Sequence, residues 1–447
     1  MGQRPVAAFT KTESQCARID GSGGPPTVTL PQLLAIAAGN GLQFYDFLVY
    51  AFFATQIGET FFPSRDRTAS LLASLATFGV GYLARPIGAV VVGVMGDRVG
   101  RKPAMILSFA LMGVGILGLS VTPSYAQIGL AAPLLAIVFR LVQGFALGGE
   151  VGPSTTLLIE IAPKTHRGRY VSLQYATQDA SILAAGVVGM CLAHWLDASQ
   201  LARWGWRLAF ALGAAIVPFG LLLRQRVPET LAPVGGARLA AEPQQGARAG
   251  RIGRTLVLLC ASMICFVTLN YLTTYAVHTL RLMATPAFAA TVVIGLVGVC
   301  CDLLGGWLTD RFGRKRVMMI PWAILLAGTV LLFDYMIRAH TIFSLLATSA
   351  LLALLVDIST TSVLVSVCEL MPHASRSASI GTLYAISATI FGGTTQFVVT
   401  WLIAKTGSPL APAWYMSGAI AAGLLAMWGL PETAPSRTQA NPVRTDS

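Results

Sequence analysis

The 447 residues are 55% apolar and only 11% charged, a balance too apolar for a soluble globular domain of this length, so a polytopic membrane protein is the expected class. The net charge of +12 would suit a nucleic-acid partner only if the cations were gathered into one soluble basic domain, and they punctuate apolar runs instead. Cys16, Cys191, Cys260, Cys265, Cys300, Cys301 and Cys368 lie mainly within apolar runs, without paired spacing or companion histidines, and read as small core residues rather than a disulfide framework or a metal site.

Residues 1–31 are polar, rich in Gly, Pro and Ser, and lack the apolar stretch and small-residue cleavage site of a secretory signal, so a disordered cytoplasmic tail is expected there. Apolar stretches of about twenty residues, enough to cross roughly 30 Å of hydrocarbon, then predict an all-α bundle of twelve transmembrane helices. The first six fall near 32–57, 70–95, 104–123, 128–156, 170–195 and 207–224, and the second six near 255–278, 287–308, 317–337, 342–366, 377–402 and 411–430. Between the sets, 225–252 carries Arg226, Arg238, Glu242, Arg248 and Arg251 among Gly, Pro and Gln. It is predicted to be a cytoplasmic linker between a six-helix half at 32–224 and another at 253–430, with 431–447 as a second cytoplasmic tail. Lys and Arg crowd one set of short loops (Arg98, Arg101, Lys102, Lys164, Arg167, Arg169, Arg311, Arg314, Lys315, Arg316) more than the other, which puts both termini inside.

The two halves echo each other. Gly93 to Lys102 reads Gly-Val-Met-Gly-Asp-Arg-Val-Gly-Arg-Lys, and Gly306 to Lys315 repeats its frame at a constant offset, 310 − 97 = 213 and 313 − 100 = 213. Glu160, Pro163 and Arg167 recur as Glu369, Pro372 and Arg376, and Pro228-Glu229-Thr230 recurs as Pro431-Glu432-Thr433. Two such halves with one linker are what a rocking carrier with a midplane site requires.

The repeated Gly-x-x-x-Asp-Arg-x-Gly-Arg-Lys loop resembles the signature of the major facilitator superfamily between spans 2 and 3 and again between 8 and 9, and Arg140-Leu-Val-Gln143-Gly144 resembles its span-4 motif. Gly39-Asn40, Tyr45-Asp46-Phe47, Phe61-Phe62-Pro63, Ala84-Arg85-Pro86-Ile87-Gly88 and Gln143-Gly144-Phe145 continuing to Gly148-Gly149-Glu150 narrow the resemblance to the metabolite:proton symporters. Within that family, Ile128 to Pro133, Trp204-Gly205-Trp206-Arg207 and Phe391-Gly392-Gly393 are most similar to the citrate and tricarballylate carriers. The resemblance implies proton-coupled symport of a small carboxylate, citrate or a related di- or tricarboxylate, across a bacterial inner membrane, by a monomer without cofactor. Shikimate, 2-oxoglutarate or a betaine-like zwitterion is the alternative cargo. One departure is Gln43, where family members commonly carry Glu shortly before the span-1 Asp.

A charge near the bilayer centre costs about 2.5 to 3.5 kcal/mol on the insertion scale, so each demands a use. Asp46, Arg85 and Arg140 fall near mid-span in the first half, while the duplicate positions of the two arginines are Gly298 and Ser349. Two guanidiniums at one depth match carboxylates with forked bonds, which makes Arg85 and Arg140, with Gln143, candidates for an anionic substrate. Asp46 is then either the partner that holds one Arg or the carrier of the proton. Asp179 is a second proton candidate, Asp357 a similar buried carboxylate, and Asp302 is expected near the cytoplasmic end of span 8. Span 7 bears a polar and aromatic stripe, Asn270, Tyr271, Thr273, Thr274, Tyr275 and His278, which is expected to face the cavity with Tyr271 and Tyr275 one turn apart on its wall, and Tyr384 and Gln396 of span 11 are similar candidates. Asp97, Arg101, Asp310 and Arg314, with Glu160, Arg167, Glu369 and Arg376, are expected to form a gate of ion pairs. No His-Glu-x-x-His, Gly-x-Ser-x-Gly or Gly-Lys-Ser phosphate loop occurs, so no enzyme is predicted, and no acidic group suggests a protein-held metal.

Overall fold

With no water in hydrocarbon to satisfy a backbone, an apolar chain closes its hydrogen bonds within helices. The computed structural model is helical in this way, without a strand among its described residues, which are 41, 44–98, 101–148, 155–156, 158–159, 162–225, 245–371 and 376–434. Among the described residues, eight helices are long and apolar enough to cross a membrane. Large apolar side chains such as Ile87, Val90, Leu331 and Leu425 face outward, and Trp195, Trp414 and Trp428 are exposed at helix ends, as lipid contact and an interfacial aromatic belt require.

The first predicted span lies partly outside the described residues; its described part comprises α1 (44–52), a turn at Phe53 and α2 (Ala54–Phe61). The second predicted span is broken into α3 (Arg67–Leu83) and α4 (Arg85–Arg98). Pro86 explains the break, because it has no N–H for the carbonyl four residues back and its ring crowds that carbonyl. The group concerned is the Tyr82 carbonyl, and it accepts instead from Thr389 Oγ1 at 3.1 Å, across from the second half. Arg85 therefore starts a new helix beside the interface. Then come α5 (Arg101–Val121), α6 (Ala131–Gly148), α7 (Arg167–Trp195) and α8 (Trp206–Gln225).

The second half opens with α9 (Gln245–His278), so 225 and 245–252 of the predicted 225–252 linker are helical, and 226–244 lie outside the described residues. It continues with α10 (Ala284–Phe312), α11 (Arg314–Ala339), α12 (Ile342–Leu370), α13 (Arg376–Ser387), α14 (Thr395–Thr406) and α15 (Ala411–Trp428). A five-residue π-helical segment, Ala388–Gly392, joins α13 to the region of α14.

Two close approaches fix the site. A Cβ on Gly144 would lie 1.6 Å from the Gly81 carbonyl, so α6 seats directly on α3 and carries Arg140 inward. A Cβ on Gly306 would lie 2.7 Å from the Gly168 carbonyl, so α7 of one half and α10 of the other meet backbone to backbone.

Candidate functional site

Arg85, Arg140 and Asp46 do come together, around a residue that the charge pattern did not single out. The Phe47 ring has the Arg85 guanidinium 4.5 Å from its centroid and that of Arg140 at 4.6 Å. Arg85 also lies 3.9 Å from the Tyr82 ring, and Arg140 4.4 Å from Tyr50 and 5.1 Å from Phe78. Aromatic faces attract a guanidinium through the ring quadrupole without consuming its N–H donors. Those donors remain. Arg140 Nη1 gives one bond, 2.7 Å to Gln143 Oε1, while Arg140 Nε and Nη2, Arg85 Nε and Gln143 Nε2 are buried without a partner.

Asp46 is 1% exposed, and neither of its carboxyl oxygens has a hydrogen-bond partner among the described residues. Its nearest electrostatic influence is Arg140 rather than Arg85, yet no ion pair forms within 4 Å. Gln43 lies outside the described residues. Asp46 and Arg140 thus sit a layer behind Phe47, close enough to sense each other and not joined.

In front of Phe47, a small cavity lies between the two halves. Arg85, Tyr82 and Phe78 face it from α3 and α4, and Asn270, Tyr384 and Gln396 from α9, α13 and α14. Asn270 Oδ1 and Gln396 Oε1 are buried without partners. Gln396 is therefore where the sequence put it, and Arg140 and Gln143 are not among the lining groups. Tyr271 and Tyr275 also differ from the expectation, because their hydroxyls are committed elsewhere: Tyr271 with Thr400 at 2.7 Å, and Tyr275 to the Pro409 carbonyl at 2.8 Å. Of the α9 stripe, Asn270, the residue before Tyr271, lines the cavity. Phe47 and Tyr82 carried no charge signal; in sequence Phe47 adjoins Asp46 and Tyr82 stands three residues before Arg85.

Asp302 needs a correction. It was expected near a helix end, but α10 continues through Gly305 and Gly306 to Phe312, leaving Asp302 ten residues, about 15 Å, from that end. It is 1% exposed and meets Asp179 of α7 and Asp357 of α12, each 4% exposed. Gly298 makes the room: a Cβ there would lie 2.1 Å from Asp179 Oδ2 and 3.0 Å from Asp357 Oδ2.

At the end bearing the repeated loop, the second-half gate residues are engaged. Arg314 forks onto Glu369, Nε to Oε2 and Nη2 to Oε1 at 3.1 Å each, and Arg167 of the first half reaches Glu369 Oε1 at 3.1 Å. Asp310 stands 3.8 Å from Arg314 and accepts the backbone N–H groups of Gly168 and Arg169 at 2.8 and 3.1 Å, capping α7 from the opposite half. Arg376 is buried and donates to the Met371 carbonyl. Glu160 lies outside the described residues, as do the side chains of Asp97 and Arg101. The Pro-Glu-Thr echo acquires a role: Glu432 accepts from the N–H groups of Arg314 and Lys315 at 3.0 Å each, capping α11, and Thr433 Oγ1 donates to Glu369 at 2.6 Å.

Comparison with known proteins gives matches along most of the chain. The family described as Sugar (and other) transporter matches residues 32–242, and Major Facilitator Superfamily matches 292–445. A citrate-proton symporter of Klebsiella pneumoniae is 33% identical, covering 88% of this chain and 90% of its own. An alpha-ketoglutarate permease of Escherichia coli (strain K12) is 31% identical, covering 86% and 90%. Among solved structures, a partially occluded, inward-open xylose transporter from E. coli superimposes with a TM-score of 0.72 over 90% of this chain and 98% of its own, at 19% identity.

Proposed function

Because this chain belongs to the major facilitator superfamily, we propose that it is a secondary active carrier that brings a small di- or tricarboxylate, citrate foremost, into a bacterial cell together with protons. It crosses the inner membrane twelve times as two six-helix halves, keeps both termini cytoplasmic and works as a monomer. The observation that carries the cargo is the cavity itself, which holds Arg85 with an unpartnered donor opposite the unpartnered amide oxygens of Asn270 and Gln396. A guanidinium takes carboxylate oxygens, and amides orient the remaining carboxyl or hydroxyl groups. The 33% identical citrate-proton symporter and the 31% identical alpha-ketoglutarate permease support an anionic cargo.

Asp46 is the proton carrier of this site. Protonated, it releases Arg140 electrostatically; ionised, it holds Arg140 behind Phe47. Coupling matters because entry of each negative charge against an inside-negative potential costs about 2.3 kcal/mol per 100 mV, which a co-transported proton cancels. A zwitterion such as betaine fits less well. Its ammonium would seek open aromatic faces, and those of Phe47 and Tyr82 are already covered by guanidiniums.

Uptake of labelled citrate into liposomes, with and without an acid-outside gradient and competed by tricarballylate, 2-oxoglutarate, shikimate and betaine, tests this reading. Gradient-driven entry blocked by tricarballylate is expected. Transport of betaine in place of any carboxylate would overturn the cargo, and no flux of any of them would overturn the carrier reading.

A further inference from the structure

The three carboxyls of Asp179, Asp302 and Asp357 lie outside the arginine cavity and are given no task by it. We propose that they form a second proton-binding site, distinct from Asp46, which takes a proton when the two halves close on each other and gives it up when they part. This rests on the reading of the chain as a proton-coupled carrier.

Placement is the first ground. Asp179 belongs to α7 in the first half, and Asp302 and Asp357 to α10 and α12 in the second, so the site exists only while the halves are together. All three are at least nine-tenths buried. The carboxyls of Asp179 and Asp302 face each other within hydrogen-bond range. Ionised carboxylates only accept, so that contact is a bond only with a proton between them. Both oxygens of Asp302, and Oδ2 of Asp357, have no donor from the protein.

The second ground is the absence of compensating charge. The titratable groups facing the cluster are Tyr175 from α7 and Cys301 from α10, both neutral, and no Arg, Lys or His among the described residues acts on it. Three carboxylates this close, shielded from water and lacking a cation, do not stay ionised together. Parting of the halves would move Asp179 away from the other two and admit water, which solvates each carboxylate singly. The step is an exchange with water alone: a carboxyl O–H bond breaks, water takes the proton, and the reverse reloads it.

Tyr175 also ties the cluster to the substrate side. It lies within electrostatic reach of Asp179 and Asp302 on one side and of Tyr384 on the other, and Tyr384 lines the Arg85 cavity.

Two readings of the full-length protein in liposomes test the proposal. The proton-to-citrate ratio is taken from the pH gradient that just balances a citrate gradient, and the protonated-carboxyl carbonyl band is recorded by infrared spectroscopy without substrate. Asp302→Asn is expected to lower the ratio by one proton and to remove that band; Asp357→Asn serves as the second variant. Loss of the band with an unchanged ratio would reveal a fixed structural proton and overturn the proposal, as would an unchanged band or a flux requiring Na⁺. Should neither variant transport, the wild-type band decides: it must change when substrate shifts the halves, and a band indifferent to substrate overturns the idea. Citrate flux by the wild-type protein is established first, and the loss of the band in Asp302→Asn is read without substrate, so a wrong cargo and a wrong proton site are told apart.

Discussion

At position 85 the first half carries an arginine, and 213 residues on, where the duplication places its counterpart, the second half carries Gly298. The arginine starts a helix broken by Pro86 and spreads over Phe47 and Tyr82. The glycine sits in an unbroken helix, and its missing side chain is filled by the carboxyls of Asp179 and Asp357. Duplicated helices have thus acquired opposite charge, a cationic pole faced with aromatic rings and an acidic pole without any cation. The difference teaches that the two poles suit unlike ligands. Rings can cover a guanidinium and leave its donors free for an anion, whereas clustered carboxyls are stable in a dry interface only by holding protons.

The largest expected effect comes from breaking the cationic pole. Arg85→Lys keeps the charge but loses the fork and the stacking geometry, and should cut citrate uptake at low substrate by about 100-fold, roughly 3 kcal/mol, with insertion intact. Normal uptake by that variant would remove Arg85 from the site. Gly298→Ala probes the acidic pole through packing alone. With its Cβ 2.1 Å from Asp179 Oδ2, the variant should lose about 1 to 3 kcal/mol of stability, and an unchanged melting temperature would mean that the carboxyls do not pack there. Phe47→Leu leaves both arginines in place and removes their shared face. Its apparent affinity for citrate should fall about 2- to 30-fold, on the basis of about 0.5 to 2 kcal/mol for such contacts, and an unaltered affinity would reduce Phe47 to a filler. The smallest effect belongs to the echo at the gate: Glu432→Gln should cost about 0.5 to 1 kcal/mol as a weakened cap on α11, visible as a small drop in melting temperature with transport retained.

Much of the cationic pole was legible because a charge in an apolar run is conspicuous; Asp46, Arg85 and Arg140 were singled out on that ground. Phe47 was not, since a phenylalanine in a membrane helix is ordinary until two guanidiniums lie against it. Tyr271 and Tyr275 were placed in the cavity by their stripe on α9, but a one-turn periodicity gives a face and not its bearing, and the face turned Asn270 inward. The acidic pole was the least legible. Asp302 was expected near the cytoplasmic end of span 8, but the helix runs ten residues beyond it to Phe312, and Asp302 is buried against Asp179 and Asp357.

The sequence by itself determined the apolar helices, the internal repeat and the charged residues that meet at the repeated loop, because hydropathy, repeat spacing and loop charge are properties read along the chain. Only the tertiary structure decided which polar groups share a space. Arg140 retreats behind Phe47 while Arg85 lines the cavity, and Asp179 meets two carboxyls more than 120 residues away (302 − 179 = 123). The reason is physical: a buried charge is assigned its role by what other helices bring within a few ångströms, and glycine contacts such as Gly144 against Gly81 set those distances.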